Sequence, residues 1–342
     1  MHKANYDGDD RSAQRRKRHH YVPESYLKAW TDQEGQVAVR RRDKELPFRA
    51  STRNVAVEAD LYAFSTDAGI DDTMEVALSR IESPLSNHIA SVREKGAPRK
   101  NSIARTEISF LLALQLVRTP ERLDRIMFPI DAANFTGERP VSFEGMRRFL
   151  RKYLGEPPTD SEIRGALDFT NYVLSRGEVT KREAFHILVK SAEEQLAPRL
   201  AAMAWSVEKS PLRTFITTDR PVVLWRRRPQ RFSGVGLDNA DEVWFPLGPH
   251  HLLVLRPRHP ERRYVIEEAR HQLVNRHIAS ACYKMIIGIP EDLDYLRLLP
   301  LQTVRPAMRF NTGPLLEVDS RGKTRTTGHE ILHTFVPYND EG

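Results

Sequence analysis

The chain has 342 residues, with 53 Lys and Arg against 46 Asp and Glu, a net charge of +7 and a pI near 9.5. That length can bury a sizeable core as one large or two smaller domains, and a single cysteine, Cys282, excludes an internal disulfide and a cysteine-rich zinc site. No apolar run reaches membrane-spanning length and the polar N-terminus carries no signal-peptide core, so a soluble, cytoplasmic protein with no membrane partner is expected.

Residues 1–18 are charged and without periodicity, which predicts a disordered basic arm carrying Arg11, Arg15, Arg16, Lys17 and Arg18. Two further basic clusters follow at Arg40-Arg41-Arg42 and at Arg226-Arg227-Arg228 with Arg231. In His19-His20-Tyr21-Val22-Pro23, Pro23 fixes its own φ and holds Val22 extended, then opens a helix with Tyr26, Leu27 and Trp30 on one face. The histidines precede backbone N–H groups that can hold an anion. His20 has two readings: a hydrogen bond that locks the N-terminus down, or a functional imidazole.

Gln36–Arg40 alternates like a half-buried strand after a turn at Gly35, and 54–64 offers another short extended piece. Met74, Leu78, Ile81, Leu85, Ile89 and Val92 recur at helical spacing, with a kink at Pro84. Glu75 and Glu82 lie two turns apart beside that seam; they could hold a divalent metal or be salt-bridge partners on a wet face. The next helix, 102–118, is apolar, so Gln115 and Arg118 near its end need partners if buried. Arg118 reads either as the ion-pair partner of Glu75 or Glu82, or as a clamp on a ligand phosphate or carboxylate. Thr119-Pro120 has the cap-plus-proline form of a helix start.

A short helix over 143–154 and two capping boxes, Thr159-x-x-Glu162 and Thr180-x-x-Glu183, continue the helical region, the last helix kinking at Pro198 and reaching about Trp205. From there the pattern turns to β: 206–208, 212–217, 221–225, 243–247 and 251–255. Asp219 sits at a strand junction, where an Asp-x-Pro turn and a catalytic or metal-binding aspartate are equally consistent with the spacing. A helix over 266–282 puts His271 and Asn275 on one face, a strand follows over 284–289, and scattered strands include 315–318 and 331–336.

The histidine stretch with Tyr26-Leu27 resembles the opening motif of the bacterial family known as domain of unknown function 4238. Gln115-Leu116-Val117-Arg118-Thr119-Pro120, Phe215-Ile216-Thr217-Thr218-Asp219-Arg220-Pro221-Val222, Phe245-Pro246-Leu247-Gly248-Pro249 and an Asn275-bearing helix agree in order, so the resemblance runs to about Ile287. Arg220 stands where that family usually has asparagine, and Gly248 where it often has serine. The family implies no established mechanism.

These readings predict an α+β fold: a basic arm (1–18), a motif with small strands (19–70), a helical region (71–205) packed against a β-rich half (206–342), and 19–342 as one compact unit. One site is expected where His20, Glu75, Glu82, Gln115, Arg118, Asp219 and Asn275 converge. In the first functional reading it is a phosphodiester hydrolase acting on DNA or RNA. His20, Glu82, Arg118 and Asp219 are then catalytic, Gln115, Asn275, Arg220 and Arg18 bind substrate, and Glu75, Glu82 and Asp219 hold Mg²⁺ or Mn²⁺. A non-catalytic nucleic-acid-binding protein using the arginine clusters, and a module for a small anionic ligand or partner, are the alternatives.

Overall fold

The computed structural model describes residues 18–66, 69–71, 73–227, 235–258, 263–301, 304–318 and 324–337; the expected basic arm, apart from Arg18, lies outside them. The chain opens with β1 (Arg18–His20) and α1 (Glu24–Leu27), which tightens into a 3₁₀ turn at Lys28–Trp30. Pro23 stands just before α1 with ψ 131°, and its carbonyl accepts from Tyr26 and Leu27 N–H. Short strands β2 (Gln36–Arg41), β3 (Phe48–Ser51), β4 (Val57–Ala59), β5 (Phe64–Thr66) and β6 (Gly69–Asp71) follow.

The helical region begins with α2 (Thr73–Glu82) and α3 (Leu85–Lys95), broken at Pro84 as the sequence predicts. Next comes α4 (Ile103–Val117), capped by Ser102 Oγ accepting from Arg105 N, then α5 (Pro120–Thr136), α6 (Phe143–Leu154) and α7 (Asp160–Arg176). α8 (Lys181–Ser191) runs through a π turn into α9 (Ala197–Ala202), and both predicted capping boxes are formed. The helix stops short of Trp205. That residue lies in β7, its indole N–H reaching back 2.9 Å to the Leu200 carbonyl.

The β-rich half holds β7 (Ala204–Lys209), β8 (Thr217–Thr218), β9 (Val223–Trp225), β10 (Glu242–Gly248), β11 (His251–Arg256), β12 (Arg263–Val265), α10 (Glu268–Ala281), β13 (Met285–Gly288), α11 (Leu293–Leu298), and the hairpin β14 (Val304–Val318) and β15 (Thr324–Pro337). Five strands form one sheet in the order β12-β7-β11-β10-β9; β3-β2-β13-β8 form another. The fold is α+β. The second sheet joins the small N-terminal strands to the β-rich half, because β2 pairs antiparallel with β13, Arg41 opposite Met285 and Val39 opposite Ile287. Alternation in β2 identified a strand but carried no information about its partner.

Of the predicted strand 212–217 only Thr217 is in a ladder, through β8. Side chains of α10 take its place upstream: His271 and Asn275 bond the Thr214 carbonyl, and Asn275 Oδ1 accepts from Ile216 N. The main core joins Tyr21, Val22, Tyr26, Leu27 and Trp30 to α2–α4, α8, α9 and both sheets. Separate apolar clusters gather α10 and α11 on the sheets, and α5–α7 around Phe310. No helix among the described residues is long and apolar enough to cross a membrane.

Candidate functional site

The motif stretches meet in a buried hub. Tyr26 Oη shares a 2.7 Å hydrogen bond with Thr217 Oγ1 and donates at 2.9 Å to the Pro246 carbonyl, so one hydroxyl ties three motifs together. Trp30 Nε1 donates to the Phe215 carbonyl at 2.8 Å. Arg118, 2 % exposed, donates from Nε to the Tyr21 carbonyl (2.8 Å) and from Nη2 to the His20 carbonyl (3.4 Å), while Nη1 pairs with Glu82. Its own carbonyl accepts from Tyr62 Oη at 3.0 Å. Of the two predicted partners, Glu82 is therefore the one engaged. Glu75 is buried nearby, its charge felt at the Tyr62 hydroxyl.

His19 is the fully buried histidine. Its Nδ1 accepts from Tyr62 N at 2.8 Å, and the two rings stack 5.7 Å apart. His20 is half-buried, with Nε2 3.3 Å from the Thr52 carbonyl; burial lowers its pKa against the opposing pull of that bond, so the ring is neutral near pH 7. Asp219 is wholly buried, and its two carboxylate oxygens accept from Tyr283 N (2.8 Å) and Lys284 N (2.6 Å). Burial raises its carboxyl to about 6, while these N–H groups hold the ionised form. Asn275 is occupied in the same way, adding a bond to Tyr295 Oη. Gln115 is 4 % exposed and its Oε1 has no hydrogen-bond partner among the described residues; Arg18 is exposed and donates to Asn54.

The structure thus gathers Arg118, Glu82 and the His20 backbone, with Asp219 close enough to Tyr21 to affect its hydroxyl. Asn275 anchors a different loop. The expected metal set does not assemble: Glu82 faces Arg118, both oxygens of Asp219 are held by backbone N–H, and no group of three or more His, Cys, Asp or Glu among the described residues is placed to hold an ion. The second basic cluster is also structural. Arg40 donates to the carbonyls of Leu296, Arg297 and Leu299, Arg41 pairs with Asp43, and Arg42 donates to the carbonyls of Ser280 and Cys282.

Unbalanced charge lies beside the hub, where α5 begins. Arg220 pairs with Glu121 at 3.0 Å. The guanidiniums of Arg122 and Arg125, half-buried one turn apart, make no hydrogen bond and no ion pair among the described residues, and burial lowers both of their pKa values against the pull of Glu121. Glu121 thus pairs with Arg220, and its charge reaches Arg122 and Arg125 without a direct ion pair. Thr119 Oγ1, buried at the helix cap, has no partner among the described residues and makes no capping bond.

Asp124 is exposed, yet surrounding protein raises its carboxyl to about 6, opposed by the charge of Lys284. Tyr283 Oη donates to it at 3.4 Å, Lys284 pairs with Glu58, and Lys181 donates to the Asp60 carbonyl at 2.8 Å. Such a group of charged and hydroxyl side chains has the chemistry to bind an anion and move a proton. The sequence held one unused signal for it: arginines in the first turns of a helix oppose the macrodipole, so Arg122 and Arg125 gain nothing locally from their positions.

The sequence model of the family described as "Protein of unknown function (DUF4238)" matches residues 18–292. No curated protein and no solved structure matches the chain.

Proposed function

The chain belongs to the DUF4238 family, and we propose that it binds a phosphate-bearing ligand between the start of α5 and the Asp219-Arg220 turn. One observation carries this reading: Arg220 pairs with Glu121, while the guanidiniums of Arg122 and Arg125, partly desolvated, have no ion pair among the described residues and only feel the charge of that carboxylate. A desolvated cation short of counter-charge is stabilised by an incoming anion, and planar guanidiniums match phosphate oxygens two at a time. Among phosphate-bearing ligands a nucleic-acid strand is favoured, since Arg226 and Arg227 extend the positive charge along the same segment as Arg220.

The test is fluorescence anisotropy of labelled DNA and RNA oligomers at several salt concentrations, with inorganic phosphate as competitor. Salt-sensitive binding, weakened about tenfold in an Arg122→Ala/Arg125→Ala double variant, supports the reading. Undiminished affinity in the double variant overturns it.

A second reading is phosphodiester hydrolysis, favoured by Asp124. Its carboxyl near 6 makes it an effective general base at neutral pH, able to take a proton from water while the arginines stabilise charge on the phosphate oxygens. No step is routed through Mg²⁺ or Mn²⁺, because Glu82 and Asp219 are held by other groups. Cleavage of the same oligomers, lost in Asp124→Asn although affinity is no weaker than in wild type, is the expected result; activity retained in that variant removes Asp124 from the mechanism.

A further inference from the structure

A cavity of roughly 590 Å³ opens at the end of the five-stranded sheet, lined by Trp225, Arg226, Arg227, Glu242, Leu273 and His277. Its size falls within the range of about 300–1,000 Å³ usual for small-molecule sites. None of these residues belongs to the hub or to the Glu121 cluster, and only Arg226 and Arg227 entered the reading above, as charge continuing from Arg220.

The aromatic wall is built from β9, β10 and α10. Trp225 is half-buried and stacks on the wholly buried Trp244, ring centroids 5.2 Å apart and planes 20° apart. His277 meets both indoles nearly edge-on, at 6.2 Å and 6.0 Å. Trp244 is itself fixed: Nε1 donates to Glu242 at 2.5 Å, and the Arg270 guanidinium covers the ring at 5.0 Å. A half-exposed indole backed by an immobilised one is a rigid stacking platform. His277 is exposed, and burial of part of its ring lowers its pKa, leaving a neutral imidazole that can donate and accept at a ring edge.

The charges suit a phosphorylated ligand. Glu242 is the cavity's carboxylate, but Arg256 and Arg270 each engage both it and Glu208, so two carboxylates meet two guanidiniums. Arg226 and Arg227 remain as the lining's added positive charge, with Asp241 accepting from the Arg227 backbone N–H at 2.7 Å. Aromatic face, neutral polar edge and adjacent cations together are the complement of one nucleotide.

We infer that this cavity is a nucleotide subsite: a nucleobase stacks on Trp225 beside His277, and its phosphate meets Arg226 and Arg227. The subsite stands independently of the Arg122/Arg125 site. Both are built on the same two chain segments, however. Arg220 leads in five residues to Trp225, and His277 leads in six to Tyr283, so the Cα atoms of Arg220 and Trp225 lie within about 17 Å of each other.

The experiment titrates the full-length protein with adenosine 5′-monophosphate, uridine 5′-monophosphate, inorganic phosphate and a short oligonucleotide, following tryptophan fluorescence and calorimetric heat. The expected result is quenching by the nucleotides with affinity at least tenfold above phosphate. That affinity falls about tenfold in Trp225→Ala, is largely retained in Trp225→Phe, and falls in Arg226→Ala/Arg227→Ala. Monophosphates binding as tightly as the oligonucleotide identify a free nucleotide as the occupant; an oligonucleotide binding far more tightly identifies one unit of a strand. Nucleotides that bind no better than phosphate, or equally to wild type and Trp225→Ala, overturn the inference. If Trp225→Ala does not fold, Trp225→Phe and the double arginine variant decide the matter. Arg122→Ala/Arg125→Ala separates the two sites: it leaves the monophosphate titration unchanged whether or not the α5 site binds anything.

Discussion

Two polar regions share the Tyr283-Lys284 dipeptide and treat their charges in opposite ways. Inward, its backbone N–H groups clamp Asp219, part of a hub where the Arg118 guanidinium and the Asn275 amide are also matched by fixed partners. Outward, the Tyr283 hydroxyl and Lys284 ammonium face Asp124 and Glu58 beside three arginines within the field of one glutamate. The residue types of the hub look catalytic in a sequence, but matched groups hold a fold together. Partly desolvated, unmatched ones remain for a ligand.

The sharpest way to break this contrast is Arg118→Ala. It strands the Glu82 charge and two buried carbonyls, and should lower unfolding free energy by about 3–5 kcal/mol in urea denaturation. Arg118→Lys should recover little, having no fork to span Tyr21 and Glu82. A stable Arg118→Ala protein lacking only ligand binding would move Arg118 from the hub to the functional site.

Asp219→Ala comes next, at about 2–3 kcal/mol, for leaving two buried N–H groups without an acceptor. Cys282, buried beside them with its thiol pKa raised well above the usual range, should then react faster with a thiol reagent in native conditions. Asp219 also sets a pH dependence. Its folded pKa, about 6 against an ordinary 3.8, means that the folded state holds the proton longer. Its contribution to stability is therefore greatest below pH 3.8, declines as pH rises to about 6, and is flat above. The difference between wild type and Asp219→Asn, measured by denaturation from pH 4 to 7, should show that decline.

On the outward side the signs reverse. Arg122→Ala/Arg125→Ala should weaken anion binding about tenfold, yet leave stability unchanged or slightly higher, because burial disfavours both cations in the folded state. Unfolding of this variant at hub-like cost would make these arginines structural. The smallest effect is expected for Asp124→Asn. Wild-type anion binding should tighten a few-fold as pH falls through about 6 and the Asp124 charge is lost, and the variant should show a flat profile measured by anisotropy.

Local rules carried much of the fold. The proline break at Pro84, the capping boxes at Thr159 and Thr180, the Ser102 cap and the 143–154 helix depend on neighbours within a few residues, so spacing and residue type decide them. The candidate site was less legible. His20, Arg118, Asp219 and Asn275 stand out as polar groups in apolar surroundings, but a sequence does not reveal whether such a group faces a ligand or a backbone carbonyl.

The sequence by itself determined the longer helices and several of their starts, part of the strands, the α+β class and the family motifs, because periodicity, caps and proline act over one or two turns. Only the tertiary structure decided that β2 pairs with β13, that Arg40 and Arg42 turn inward to carbonyls, and that Arg122, Arg125 and Arg220 gather around Glu121. Those outcomes depend on residues up to 261 positions apart, and on desolvation by protein packed around the group, which no local pattern encodes.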